Sequence, residues 1–234
     1  MDEVSYYPQG DSAITISFGN EIHREIHRKV TIFTDYVKAE SFPWLLEVVP
    51  GFASVTIYYN PIKVILKVPN KTPYDQVESI LKSQLFNLPL STNHRSKTVI
   101  IPVCYCMEYG PDLKGVAEYH QLTEQEVISI HSRQEYFVYM IGFAPGFPYL
   151  GGMSNQIATP RKATPGLQIS AGSVGIGGDQ TGIYPIDSPG GWHIIGRTPL
   201  QLFDKKATYP SLLKAGDRVK FTPITPEQFL SGEV

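Results

Sequence analysis

Hydrophobic and polar positions alternate through Ser12–Phe18, with Ala13, Ile14 and Ile16 as the apolar members, which is the period-two signature of a half-buried strand. The period then lengthens: Ile22, Ile26, Val30, Phe33 and Val37 recur at helical spacing, and Asn20 stands where an N-cap is expected. Leu45–Val49 and Ser54–Tyr59 are short β-rich runs broken by Pro50-Gly51, and Thr72-Pro73 opens a second helix carrying Val77, Ile80, Leu81 and Leu85. Lys97–Val103 is strand-like again. The order βαββαβ matches the split-βαβ pattern, two helices on one face of an antiparallel sheet, although its last strand can equally belong to a second domain.

Asn87–Ser96 (NLPLSTNHRS) is polar, contains Pro89 and separates two periodic segments, so it reads as a linker with a boundary near residue 92. The expected organisation is an α+β, split βαβ-like N-terminal domain over 1–92 and a mainly β domain over 93–234. In the second, Leu113–Tyr119 reads as a short helix, and Thr123 with Glu126 forms a capping-box pattern that opens another. Glu135–Ile141 is a strand. Short β-prone runs then occur between glycines and prolines, at Leu167–Ile169, His193–Ile195, Leu200–Phe203 and Arg218–Phe221, the spacing of a small β-barrel or sandwich.

Composition narrows the classes. At 234 residues and 42% hydrophobic content the chain sustains one large core or two small ones. Its 20 basic and 22 acidic residues are scattered without long runs, which leaves no electrostatic footprint for nucleic acid. No apolar run approaches the roughly 20 residues that span a bilayer, and MDEVSYYPQGD lacks the features of a signal peptide, so a cytoplasmic protein with no membrane partner is expected. Cys104 and Cys106, two apart in a strand-like run, are too close for an ordinary bridge and lack the second ligand pair of a zinc site; they read as buried or half-buried thiols. His23 and His27 lack the Glu of HExxH and read as a solvated helix face rather than a metal site, and His94, His120 and His131 carry no motif and read as surface residues.

The chemistry concentrates in YMIGFAPGFPYL (139–150) and SAGSVGIGGDQTGIYPIDSPGGWHIIGRT (170–198). Large aromatic residues interrupt the glycines and prolines at short intervals, which marks a shaped surface rather than a flexible linker. AGSVG around Ser173 is not a nucleophile elbow, because Gly175, Gly177 and Gly178 cannot open a stable helix, and no GxxxxGK[ST] occurs. GSVGIGG as a phosphate cradle is a weaker reading than a turn at a barrel rim. Gln180, Tyr184, His193 and Arg197 lie among turn-formers able to fold them toward one place. Arg197 suits a carboxylate or phosphate, His193 a proton transfer or hydrogen bond, and Gln180 or Tyr184 the orientation of an amide. The competing reading is that these groups satisfy buried backbone in a loop-rich barrel.

YMIGFAPGFPYLGG (139–152) together with AGSVGIGGDQTGIYPIDSPGGWHIIGRTPL (171–200) resembles the allophanate hydrolase subunit 1 family, also called the KipI family or the family of 5-oxoprolinase B subunits (PxpB). PQGDSAITISF (8–18) and PGFASVTIYYNP (50–61) are similar to its N-terminal domain, so the resemblance spans nearly the whole chain. It implies an α+β domain followed by a cyclophilin-like β-barrel, without prolyl isomerase activity. It also implies a non-autonomous subunit of an ATP-dependent 5-oxoprolinase that converts 5-oxo-L-proline to L-glutamate, where phosphorylation of the lactam oxygen makes a stabilised amide open to water. The implied partners are a homologous C subunit of the KipA/PxpC type and an A subunit of the LamB/YcsF type. ATP is used by the complex, with no site located in this chain. The alternatives are a component of a urea or allophanate-type carboxyltransferase and a KipI-like inhibitor of a sensor histidine kinase. Within this reading His193 and Arg197 are the catalytic residues, Arg161, Gln180 and Tyr184 bind substrate, and Phe143, Phe147 and Tyr149 wall the pocket or the partner interface. The family pattern PRxxxPR is incomplete here: Pro160-Arg161 is followed by Pro165-Gly166, so one arginine is missing.

Overall fold

The computed structural model describes residues 4–21, 23–67, 69–86 and 96–232. The chain divides into two compact units, Met1–His94 and Arg95–Val234. The expected linker at 87–96, and with it residue 92, falls almost wholly outside the described residues.

In the first unit β1 (Ser5–Gln9) and β2 (Ala13–Ser17) form a hairpin, followed by α1 (Arg24–Ala39), β3 (Leu45–Pro50), β4 (Ser54–Tyr59) and α2 (Pro73–Phe86). The sheet order is β1-β2-β4-β3, antiparallel throughout. Alternation in β2 and β4 turns Ile14, Ile16, Val55 and Ile57 into one core with Ile26, Val30, Phe33 and Val37 of α1 and Val77 and Leu81 of α2. The opposite face is polar at the centre, where the hydroxyls of Thr15 and Thr56 meet across the strands at 2.9 Å.

Of the two places open to the last strand of βαββαβ, it takes the second unit, and β1 holds the edge beside β2. SYYPQ escapes the period-two signal because an edge strand buries little, and the edge also tolerates Pro8. The N-cap of α1 is His23 rather than Asn20: Nδ1 accepts from the Glu25 amide at 3.3 Å. His27 is buried, 1% exposed, because it shares the inward stripe with Val30, Thr34 and Val37. Ile22, placed on that helix by its spacing, lies outside the described residues.

The second unit contains β5 (Thr98–Val103), α3 (Leu113–Tyr119), α4 (Glu124–Arg133), β6 (Glu135–Ile141), β7 (Pro148–Gly151), β8 (Gly166–Ile169), β9 (Ser173–Gly177), β10 (Gln180–Ile183), β11 (Ser188–Gly190), β12 (His193–Arg197), β13 (Arg218–Pro223) and α5 (Pro226–Ser231). Seven strands form one curled sheet in the order β12-β9-β10-β7-β6-β13-β5, with β5 parallel to β13, and β8 pairs with β11 as a separate ribbon. The two edges of the large sheet meet: Cys104, just past β5, and Arg197, the last residue of β12, exchange backbone hydrogen bonds of 2.9 and 3.0 Å. That single bridge turns the sheet into the expected barrel. Val103, Val138, Leu150, Val174, Ile176, Ile195 and Phe221 fill it, and Leu113, Val116, Val127 and Ile130 bring α3 and α4 into the same core. The capping box at Thr123 and Glu126 opens α4 as expected. Leu200–Phe203 forms no strand; it makes only an isolated bridge from Phe203 to Ser211, and its apolar signal comes from Leu202, which plugs the core from a loop.

His131 overturns its surface assignment. It is fully buried, four residues after Val127 on the inward face of α4. Thr181 Oγ1 donates to Gly175 O at 3.0 Å, so that oxygen accepts from His131 Nε2–H at 2.9 Å, and Nδ1 accepts from the Tyr105 hydroxyl at 2.8 Å. Both ring nitrogens are thereby satisfied in the neutral form, and burial lowers the imidazole from its ordinary 6.5 to about 3. The unfolded chain takes a proton as pH falls through 6.5 and the folded chain does not until about 3, so stability is present above 6.5 and is lost across that window. The expected slope is about 1.4 kcal/mol per pH unit from this one group. Urea melts between pH 7 and 4 should show His131→Gln, which keeps donor and acceptor without titrating, flatter than wild type by about one proton.

The seam makes a second prediction. A Cβ at Gly110 would run into the Ile195 carbonyl, and one at Gly196 would lie 2.7 Å from Val103 Cγ1 and 2.9 Å from Cys104 O. Gly115, exposed in α3, has no neighbour within 4 Å of its Cβ position. Thermal melts should show Gly110→Ala losing about 1–3 kcal/mol by overpacking, while Gly115→Ala gains up to about 1 kcal/mol of helix propensity.

Candidate functional site

Strand β12 carries a crevice on its flank, and the chain builds it from the turn 106–112, the loop 159–163 and the ends of β8, β9 and β12. One cleft of about 480 Å³ is lined by Asp112, Tyr119, Thr159, Arg161, Lys162 and His193, among others. A second, of about 240 Å³, is lined by Glu108, Tyr109, Asp112, Lys162, Ser170, Ser173 and Arg197. Pro111, Asp112 and Lys162 belong to both. A hollow of similar size lined by Lys97 and Tyr209–Lys214 contains no carboxylate, histidine or cysteine.

His193 begins β12 and donates from Nε2 to Pro160 O at 2.9 Å, which pins the ring on the larger cleft. Arg161 is exposed on the same cleft with its guanidinium 5.8 Å from the Trp192 ring, a cation–π contact that holds the head over an aromatic face. Arg197 ends β12 in the smaller cleft and donates from Nε to Ala171 O at 2.8 Å. Gly166, where the family pattern has its second arginine, lines this cleft beside Lys162.

The other expected residues go elsewhere. Tyr184 is 2% exposed and packs edge-on to Phe147 in an aromatic cluster with Trp192, Ile169 and Ile194; burial raises its hydroxyl above the ordinary value. Gln180 starts β10, paired with Gly177, and lines neither cleft. Phe147 and Tyr149 form part of that aromatic cluster, and Phe143, 66% exposed at φ +69°, stands over Phe147 with ring centroids 5.5 Å apart. The four polar residues expected to converge are therefore divided: His193 and Arg197 face two neighbouring clefts, and Tyr184 and Gln180 belong to the barrel wall. The glycine-rich run is no phosphate cradle either. Residues 173–177 are the fully buried strand β9, whose Gly177 leaves room for the Trp192 ring.

The structure adds two residues. Asp112 Oδ2 accepts from Lys162 Nζ at 2.6 Å and from the Ile194 amide at 2.7 Å, while its own amide donates to Ile194 O at 2.9 Å. This ion pair is the ridge between the clefts. Asp112 precedes α3 and looks in sequence like an N-cap, yet its side chain makes no cap bond and serves β12 instead. Nothing in the local sequence links it to Lys162; the only available signal is the uncommitted cap. Arg161, Lys162 and Arg197 outnumber Asp112 and Glu108 along the crevice, so it favours an anionic group. Among the described residues no three His, Cys, Asp or Glu are placed to hold a metal ion, and no helix is long and apolar enough to cross a membrane.

The two members of the pair should not be equivalent. Asp112→Ala orphans the Ile194 amide and a half-buried ammonium and is expected to cost about 1–3 kcal/mol. Lys162→Ala removes only the partly exposed charge, with Asp112 still bonded to Ile194, and is expected to cost less than about 1 kcal/mol. Denaturant melts of the two variants check the order.

Residues 4–213 match the family model described as carboxyltransferase domain, subdomain C and D. A Bacillus subtilis protein named as the B subunit of 5-oxoprolinase is 46% identical over 94% of this chain and 92% of its own length. A protein of the same name from Escherichia coli O157:H7 is 43% identical over 95% and 97%. The solved structure of TTHA0988 superposes with a TM-score of 0.78 at 31% identity, covering 91% of this chain and 40% of that longer one. By motif, by length and by fold the chain belongs to the family of carboxyltransferase C and D subdomains that includes the 5-oxoprolinase B subunits.

Proposed function

We propose that this chain is the B subunit of an ATP-dependent 5-oxoprolinase and that its crevice supplies part of the site that opens 5-oxo-L-proline to L-glutamate. The observation that carries the reading is the full-length similarity to proteins of that name, together with a cationic crevice that ends on a pinned histidine. 5-Oxoproline is a cyclic amide with a carboxylate. Arg161 and Lys162 are placed to take the carboxylate, Arg161 with its planar fork and Lys162 as a point charge beside Asp112. His193, fixed by Pro160 O, is the group that moves a proton at Nδ1. Arg197 adds positive charge to the adjoining cleft, with Nε committed to Ala171 O. Tyr184 and Gln180 act through the barrel wall.

The glycine-rich strand β9 is fully buried and offers no cradle for a nucleotide. ATP handling is assigned to the complex, with a homologous C subunit and an A subunit as partners, and a chain more than twice this length that contains the same fold supports such a larger assembly. The family description favours one alternative, a carboxyltransferase component acting on a urea-like amide. The same crevice suits either amide.

The test is reconstitution. The purified chain alone should release no glutamate from 5-oxoproline with ATP, and co-expression with its C and A partners should restore release. In that complex Arg197→Lys and His193→Gln should lower turnover by about ten-fold or more at unchanged assembly, the scale of one lost charge-assisted contact. Normal turnover per folded complex with a lowered melting temperature would instead place either residue in the scaffold, and turnover by the single chain would overturn the subunit reading.

A further inference from the structure

Cys104 and Cys106 lie outside the chemistry described so far, yet their sulfurs are 3.3 Å apart, with the Cys104 thiol donating to Cys106 Sγ. The two differ in access. Cys104 is 1% exposed and burial pushes its thiol up, whereas Cys106 is partly exposed. A small oxidant therefore reaches Cys106 first and finds a second thiol already in contact behind it, the arrangement of an attacking sulfur and a resolving one.

The backbone around the pair is unequal too. Cys104 is held at the barrel seam by both hydrogen bonds to Arg197. Cys106 is held by none of that ladder; its carbonyl accepts from the amides of Tyr109 at 3.0 Å and Gly110 at 2.8 Å, and so anchors the turn that delivers Asp112 to Ile194 and Lys162. Joining the sulfurs closes 3.3 Å to about 2.05 Å, and the displacement falls on Cys106 and this turn because Cys104 is fixed.

We propose that Cys104 and Cys106 form a hydroperoxide-oxidisable dithiol whose closure moves the 106–112 turn and with it the wall shared by the two clefts. In the first step Cys106–SH and ROOH give Cys106–SOH and ROH: an S–O bond forms, the O–O bond breaks, and the sulfur loses two electrons to the peroxide. In the second, Cys104 sulfur attacks the sulfenic sulfur, the S–O bond breaks, and the hydroxide leaves with the Cys104 proton as water. A bridge between residues only two apart is strained, so it is readily reduced by thiols and acts as a reversible state rather than a staple. This inference does not depend on which amide the crevice accepts.

The experiment uses the purified full-length chain, reduced and then treated with hydrogen peroxide at neutral pH. Expected are loss of both thiols to Ellman's reagent in denaturant, a monomer lighter by two hydrogens, and full recovery of both thiols with dithiothreitol. Cys104→Ser should accumulate a sulfenic acid that dimedone traps at position 106, and Cys106→Ser should keep its remaining thiol. Hydrogen exchange of the oxidised wild type should be faster at the Tyr109, Gly110 and Asp112 amides than in the reduced chain. Survival of both thiols under excess peroxide, a disulfide-linked dimer, or oxidation stopping on Cys106 in the wild type would overturn the dithiol; a bridged monomer with unchanged exchange at those three amides would overturn its link to the clefts.

Discussion

The second unit depends on the meeting of two sheet edges through one pair of residues. Without the exchange of hydrogen bonds between Cys104 and Arg197, β5 and β12 would be open edges with unpaired donors and acceptors. The contact requires close backbone approach, and the residues on either side supply it: Gly196 lies against Val103, Cys104 and Tyr105, and Gly110 against the Ile195 carbonyl. Closure also places the crevice, because it brings the turn 106–112 against β12, whose His193 and Arg197 line it. The same backbone contact that completes the barrel thus sets the place of the arginine.

One buried polar network crosses the second unit. Tyr105, His131, Thr181 and Gly175 O form a chain in which every described donor finds an acceptor, and the imidazole stacks on Phe221 at 4.5 Å. Each member comes from a different element: the segment after β5, α4, β10 and β9. The network therefore ties α4 to the sheet in one register, which apolar packing by itself does less selectively. Its histidine is neutral by construction and has no part in proton transfer near neutral pH. His193, by contrast, is only partly buried and lines the crevice.

Along the crevice the charges add little to stability. The Asp112–Lys162 pair is partly exposed, a setting in which an ion pair contributes little, while Asp112's bond to the Ile194 amide joins the α3 approach to β12. Asp112 keeps that bond whether or not Lys162 is paired with it. Arg161 is positioned by Trp192, whose ring belongs to the aromatic cluster under Phe147 and Tyr184, so the aromatic residues support the site from behind.

Local sequence determined what depends on near neighbours. Ser54–Tyr59, Glu135–Ile141, Leu113–Tyr119 and the Thr123–Glu126 capping box were legible because period and cap chemistry act within a few residues. The family motifs likewise ran through β12, whose two ends line the clefts. Long-range packing chose the rest. SYYPQ became a strand because β2 offered an edge, and SVGIG became a buried strand because the Trp192 ring occupies the space beside Gly177. His27 and His131 were drawn inward because neighbouring apolar stripes left them no other face. The division of the polar cluster has the same cause. Tyr184 and Arg197 are near in sequence, but strand direction and a register shift in β12 turn one into the aromatic core and leave the other at the seam, while Asp112 and Lys162 meet only because the barrel closes between them.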